Sequence, residues 1–413
     1  MNTSQLATVK AYMADGDILS LIKGSPGLET LKDCKDILLK ATNAVLDENA
    51  DVTGTFTYGP EIGDAEFRDE LAMFLTQEYG DEVKSSHLMV TAGASQALHM
   101  ITTVMFSKDS IVFVEEPTYF AASMMLSVDL QMKVIPVPCD ADGINVEELD
   151  HLLTKYRPAH QRPTESKRPF WAFVYTVPVY NNPTGRCYSP SRCRSLVEVA
   201  RKHEILLVAE DVYNLIHFGE DPFPPPRLLS YDCPADPDYK GHVLSIGTFS
   251  KILAPSLRLG WVEAPECILL HLNNSNLVWS GGSLNHYASK LAAAAMHLGL
   301  LPPHVHFLRQ VYKSRCDAVC QILRDGLPDV VTFTQPQGGF FVWVVFPESV
   351  DTFEMLKFMV DKHKISFFPG ICFSALGRSG NCARICFSFY EKNILLPGVK
   401  AFVEGVKEFM KLA

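Results

Sequence analysis

The sequence predicts an α/β protein: a large, mostly parallel sheet of seven strands sandwiched by helices, followed by a smaller α+β domain. Three observations carry that prediction. Short runs that are apolar on both faces alternate with helical patterns through the middle of the chain, as strands covered on both sides of a parallel sheet require. A length of 413 residues, 47% apolar and 20% charged, fits a soluble globular protein with a sizeable core. Near residue 290 the texture changes, and long helical stretches precede two strand-like runs.

Taken in order, "LMVT" (88–91) leads into the helical "GASQALHMITTVMF", and "IVFVEEP" (111–117) into "TYFAASMML". "KVIPVP" (133–138), "WAFVYTVP" (171–178), "ILLVAED" (205–211) and "HVLSIGT" (242–248) supply further strands, with a helix near 191–203. "LRLGWVEAP" (257–265) follows too soon for a crossover helix and reads as an antiparallel strand. Two Pro-rich stretches break the pattern, a polar connection at 157–169 and a long insertion over one edge at 219–241. Farther on, "YASKLAAAAMHL" and "FLRQVYKSRCDAVCQILRDGL" are helical, while "GGFFVWVVFP" (338–347) and "ARICFSF" (383–389) are strand-like. The expected division is a large domain over 45–288, a small one over 289–413, and an N-terminal segment 1–44 without a sheet of its own, packed on the small domain.

A net charge of −10 argues against nucleic acid or an anionic membrane as the main partner. No stretch has 18 consecutive apolar residues, and Lys10, Asp15 and Asp17 near the start are unlike a secretory signal. The eleven cysteines are scattered, and the pairs Cys316/Cys320 and Cys382/Cys386 lack zinc-knuckle spacing. They read as reduced thiols of a cytoplasmic protein. The histidines of "HLGLLPPHVHF" (297–307) fit no clean helical ligand pair across two prolines, so a packed or surface role is expected and no metal site.

The chemistry gathers in "GTFSKILAPSLRLGW" (247–261). Lys251 stands among hydroxyls and apolar residues, with no acidic neighbour before Glu263. A buried lysine without a carboxylate has its ammonium destabilised, which frees the amine as a nucleophile toward an aldehyde. Thr248, Ser250 and Arg258 offer neutral donors and a permanent cation, the set a phosphate monoester needs. An amine for an aldehyde beside donors for a phosphate points to pyridoxal 5′-phosphate.

With that segment the chain resembles the class I/II aminotransferases of the fold-type-I pyridoxal-phosphate enzymes, over nearly its whole length. The resemblance implies an aminotransferase with Lys251 bonded to the cofactor and Thr248, Ser250 and Arg258 on its phosphate. "TAGASQAL" (91–98) is similar to the family's glycine turn, which implies phosphate contacts from the N–H groups of Gly93, Ala94 and Ser95. "YNNPTG" (180–185) implies Asn182 on the cofactor's 3′-oxygen and at the substrate, and "EEPTYFA" implies Tyr119 stacked on the pyridine ring. "ARICFSF" implies Arg384 on the substrate α-carboxylate, "KGSPG" implies Gly24 at the substrate mouth, and "FTYGPEIG" implies that Tyr58 crosses a homodimer to the partner's phosphate.

One departure stands out. The family places an aspartate on the pyridinium nitrogen, three residues before a tyrosine on the 3′-oxygen, but the segment here is "VAEDVYNLI". Glu210 lies 28 residues after Asn182, close to the family's spacing, and Tyr213 then follows three on. Spacing therefore favours Glu210; a one-residue slip would put Asp211 there instead, and strand alternation forbids both. The expected partners are an L-amino acid, with a lean to aromatic, 2-aminoadipate-like or other bulky side chains, and a 2-oxo acid. A carbon–sulfur lyase or aminocyclopropane-carboxylate-synthase-like activity is the rival within the same fold. A non-catalytic regulatory module is the rival of another class, for which residues 1–45 look too short and too acidic to supply a DNA-binding domain.

Overall fold

The computed structural model describes residues 3–47, 52–158 and 168–412. The Pro-rich connection expected at 157–169 lies largely outside them. The large sheet is built from β1 (Leu88–Thr91), β2 (Ile111–Glu116), β3 (Lys133–Asp140), β4 (Gly143–Ile144), β5 (Ala172–Thr176), β6 (Leu206–Glu210), β7 (Val243–Thr248) and β8 (Gly260–Glu263). Its spatial order is β1-β8-β7-β6-β5-β2-β3-β4. The pairings among β3, β2, β5, β6 and β7 are parallel, whereas β8 runs antiparallel to both β7 and β1. The seven expected strands are present in their expected places, and β8 is the antiparallel one. The eighth, β4, is a two-residue return that pairs Cys139 with Ile144 and Asp140 with Gly143. Two residues are too few to show a period in the sequence.

Alternation divides the sheet residues between two faces. Phe173, Tyr175 and Val208 pack into the core shared with the N-terminal and C-terminal helices. Ala172, Val174 and Leu207 pack on the other side with Leu149, Leu153, Leu196 and Val197. Those last residues belong to the helices Val146–Tyr156 and Pro190–His203. The second helix starts where Ser189 accepts the Arg192 N–H at 3.2 Å with Pro190 in the first turn, and it stops at Glu204 in a left-handed conformation.

The second sheet has four strands, ordered Thr332–Phe333, Phe341–Val345, Cys382–Cys386 and Phe368–Pro369, all antiparallel. The N-terminal segment contributes one short strand, Leu19–Ser20, which lies parallel to Ile365–Ser366. The histidine-rich stretch is also more ordered than its prolines suggest. Pro302 and Pro303 sit in the first turn of helix Leu301–Gly326, where their missing N–H groups cost nothing. The insertion 219–241 is tied down by buried Arg227, which pairs with Glu263 on β8 and donates to Asp81 at 2.8 Å. Among the described residues no single helix is long and apolar enough to cross a membrane, and all eleven cysteines are free thiols.

Candidate active site

A cavity of about 320 Å³ opens at the C-terminal ends of β5, β6 and β7, where an α/β sheet places its ligands. The small sheet closes it with Phe341, Phe368 and Arg384, and the N-terminal segment with Met13, Ile22 and Gly24. Of the residues expected from sequence, Gly24, Ala94, Ser95, Tyr119, Asn182, Glu210, Tyr213, Thr248, Ser250, Lys251, Arg258 and Arg384 all line it.

One end is a cradle of donors. Helix Ala94–Met105 begins here, capped by Gly93 at φ +87, a conformation that side chains resist. A Cβ at that position would stand 2.9 Å from Arg258 Nη2. Thr248 Oγ1 donates to Ser250 Oγ at 3.0 Å and accepts the Ser250 N–H at 3.1 Å, so both hydroxyls are held at the turn that follows β7. Arg258, itself left-handed at φ +46, donates from Nη1 to Ser250 Oγ at 3.4 Å and to Pro255 O at 3.2 Å. Asn285 Nδ2 anchors the Arg258 backbone by donating to Leu257 O at 2.7 Å and to Arg258 O. Nothing near Asn285 in the sequence signals that role.

Lys251 occupies the middle. Its Nζ donates to Gly24 O at 3.2 Å and lies 5.8 Å from the Tyr213 ring centroid. Burial pushes its pKa down to about 8, against the pull of Glu210. Glu210 lines the cavity, and its Oε2 accepts the phenol of Tyr175. Burial raises its pKa, with Tyr175 and Lys251 opposing. Asp211 points to the other face, accepting Ser245 Oγ at 2.6 Å and Asn214 Nδ2 at 3.2 Å. The carboxylate at the cavity is thus Glu210. Tyr119 forms part of the wall, and burial raises its hydroxyl to about 12.

At the far end, Arg384 is buried beneath three aromatic rings, with its guanidinium carbon 4.0 Å from the Phe341 centroid, 4.9 Å from Phe368 and 5.0 Å from Phe373. Nη1 donates to Asn182 Oδ1 and Nη2 to Ile22 O, each at 2.7 Å, while Nε has no partner among the described residues. Burial lowers its pKa to about 10, so it stays cationic at neutral pH. Gly24 is needed for close approach, since a Cβ there would stand 2.7 Å from Phe341 Cζ. The turn bearing Asn182 is fixed by its neighbour: Asn181 Nδ2 donates to Glu115 Oε1 at 2.8 Å, and Asn181 Oδ1 accepts from Thr184 N and Oγ1.

Of the expected site residues, Gly93 sits just behind the lining beside Arg258, while Tyr58 stands apart from the cavity, 83% exposed. Met13, Ile22, Phe120, Val177, Val212, Phe341 and Phe368 line the cavity without having been singled out from sequence. They are apolar residues brought in by long-range packing, and an apolar residue in a strand or helix carries no local mark of a binding role. The three histidines of 297–307 go separate ways: His297 meets Glu70 at 2.8 Å, His304 lies 3.8 Å from Cys34 Sγ, and His306 meets Gln310 at 2.9 Å. Among the described residues no group of three metal-ligating side chains forms.

The lining suits pyridoxal phosphate. Among the described residues three cations, Lys251, Arg258 and Arg384, face a single carboxylate, Glu210, so a ligand with phosphate and carboxylate charges is favoured. The glycine-opened helix start leaves room for that phosphate, and the unpaired Arg384 N–H retains capacity for an acid. The protein is therefore an enzyme of the fold-type-I pyridoxal-phosphate class. Residues 20–395 match the family described as aminotransferase class I and II, and the chain belongs to that family. It is a pyridoxal-phosphate-dependent transaminase. An aromatic-amino-acid aminotransferase of Thermococcus litoralis is 29% identical over 100% of this chain and 93% of its own. Among solved structures, a multiple substrate aminotransferase from Thermococcus profundus superposes with a TM-score of 0.83 at 30% identity, covering 100% of this chain and 97% of its own. A Pyrococcus horikoshii kynurenine aminotransferase, solved with pyridoxamine phosphate (PMP), also reaches 0.83 at 28% identity over 99% and 95%.

Proposed function

We propose that this transaminase takes an aromatic or otherwise bulky apolar L-amino acid as donor and a 2-oxo acid as acceptor. One observation carries the choice. Among the described residues no cation beyond Lys251, Arg258 and Arg384 lines the cavity, and Met13, Ile22, Phe120 and Phe368 present apolar surface. A dicarboxylate donor would leave its second charge unpaired against that surface. The relatives named for aromatic amino acids and for kynurenine support the same choice.

Pyridoxal phosphate, when bound, supplies an aldehyde for the donor's nitrogen and a protonated ring that draws electrons from the donor's Cα. Arg258, Thr248, Ser250 and the N–H groups of Gly93, Ala94 and Ser95 would hold its phosphate. Glu210 would serve the ring nitrogen, Asn182 and Tyr213 the 3′-oxygen, and Tyr119 the ring face. Arg384 grips the donor's α-carboxylate, where its planar fork outperforms an ammonium, and Asn182 steadies that fork. Lys251 Nζ takes the proton from the donor's Cα; a pKa near 8 leaves a useful share of the amine neutral at physiological pH. Gly24 keeps the mouth open above it.

A second copy of the chain completes the assembly in this reading. Tyr58, Phe56 and Trp279 are 83%, 66% and 76% exposed, and Phe56 stacks on Tyr287 at 6.1 Å. Such an apolar patch calls for a partner, and Tyr58 then reaches the partner's phosphate. Residues 45–288 form the large domain, with 289–413 and the N-terminal segment forming the small one, and the free thiols accord with the cytoplasm.

The test is direct. Purified holoenzyme carries a visible absorption band that borohydride bleaches, and Lys251→Ala abolishes both band and transamination. Native turnover in Lys251→Ala ends the reading. Phenylalanine, tyrosine, tryptophan and kynurenine outperform aspartate and 2-aminoadipate as donors to 2-oxoglutarate; the reverse order overturns the substrate assignment.

A further inference from the structure

We propose that Tyr175 is a positioning residue for transamination, its buried phenol fixing the Glu210 carboxylate in the orientation and the ionised form that the ring nitrogen needs. This rests on the reading of Glu210 as the carboxylate that faces that nitrogen. Tyr175 and Glu210 stand on neighbouring parallel strands, with Tyr175 opposite Val208 and Thr176 opposite Ala209, so that Glu210 extends one position past the paired stretch. The Tyr175 side chain is fully buried on the cavity face of β5, and its hydroxyl donates to Glu210 Oε2. Oε1 has no hydrogen-bond partner among the described residues, which leaves one oxygen committed to the protein and the other to the cavity.

The groups facing Glu210 explain why this donor matters. Lys251 approaches from the turn after β7, Asp211 follows it just past the end of β6, and the phenols of Tyr119 and Tyr213 face it from the cavity wall. Burial and Asp211 favour the neutral acid, whereas Tyr175 and Lys251 favour the carboxylate. Lys251 is an unreliable counter-charge, because its amine is the group that reacts and exchanges protons. The Tyr175 phenol is held far above its ordinary pKa by burial and stays a donor at every working pH. It also answers the geometric difficulty of a glutamate, whose extra rotatable bond a hydrogen bond from a buried, fixed donor removes from play.

The experiment compares Tyr175→Phe, Glu210→Gln and the double variant as holoenzymes. In Tyr175→Phe, kcat falls roughly 10- to 100-fold, the size of one lost hydrogen bond to a charged group, while the donor KM changes little because Arg384 is untouched. Equilibrium dialysis finds pyridoxal phosphate bound about 10-fold more weakly, a readout that a purely structural phenol would not move. The double variant matches Glu210→Gln alone, since the phenol acts only through that carboxylate. A native Tyr175→Phe beside a crippled Glu210→Gln overturns this proposal alone, as do losses that multiply in the double variant. A Glu210→Gln enzyme with native kcat overturns the reading of Glu210 and this proposal with it.

Discussion

Two strands of the large sheet carry adjacent carboxylates at their C-terminal ends, Glu115–Glu116 closing β2 and Glu210 closing β6 with Asp211 just beyond, and the four groups live in four different surroundings. Glu115 is buried and takes hydrogen bonds from Tyr188 Oη at 2.7 Å, Thr176 Oγ1 at 3.0 Å, Val177 N at 2.9 Å and Asn181 Nδ2 at 2.8 Å. Asp211 is likewise buried and served by Ser245 and Asn214. Their strand neighbours face the other way. Glu116 reaches the second sheet's connecting loop, accepting Ser374 Oγ and the N–H groups of Ala375 at 2.8 Å and Leu376 at 3.4 Å. Glu210 keeps one oxygen for the cavity. The same strand-end position thus yields a structural acid or a site acid, and the number of committed donors tells them apart.

The largest effect separates Glu210 from Asp211. Glu210→Gln lowers kcat by about 100-fold or more, as the loss of a placed charge at a reacting centre does. Asp211→Asn leaves kcat within about twofold and instead costs about 1–2 kcal/mol of folding stability. Steady-state kinetics beside urea denaturation checks both halves, and a kinetic loss confined to Asp211→Asn would invert the comparison.

Glu115 gives the next effect. Burial raises its pKa from 4.5 to about 7, against the help of Tyr188 and its other donors. The folded chain therefore holds a proton there more tightly than the unfolded chain, and this group's contribution to stability falls as pH rises from about 4.5 to about 7. Glu115→Gln flattens that part of the stability profile. It also costs about 1–3 kcal/mol, because an amide nitrogen is set against donors and Asn181 loses its support. Denaturation curves across that pH range measure both, and an unchanged slope counts against the assignment.

Glu116→Gln is the mildest change, about 1 kcal/mol or less, since amide oxygen still accepts from the 374–376 loop. Faster backbone hydrogen exchange at Ala375 and Leu376, with kcat nearly native, is the expected signature.

The strands of the large sheet were legible because covered parallel strands announce themselves as apolar runs, and β8 because residues 249–259, which separate it from β7, are too few for a crossover helix. β4 and the pair Leu19–Ser20 with Ile365–Ser366 were not, since two residues have no period. Around the cavity, Lys251, Arg258, Asn182 and Arg384 were readable from local motifs, whereas spacing favoured Glu210 without closing off Asp211, and only the fold shows which of the two faces the cavity. Tyr175 was hidden in "WAFVYTVP", where a tyrosine in an apolar strand looks like core until its neighbour strand supplies a carboxylate. Met13 and Phe368 reach the cavity from more than 350 residues apart, a proximity no local pattern encodes.

The region that defines the family starts at residue 20, yet Leu19 is half of the strand pair that ties the amino end to Ile365, and Met13 forms part of the cavity wall. Trimming the gene to the recognisable stretch would thus breach the chamber on one side. A purification tag spliced at that boundary would hang directly over the entrance beside Ile22 and Gly24.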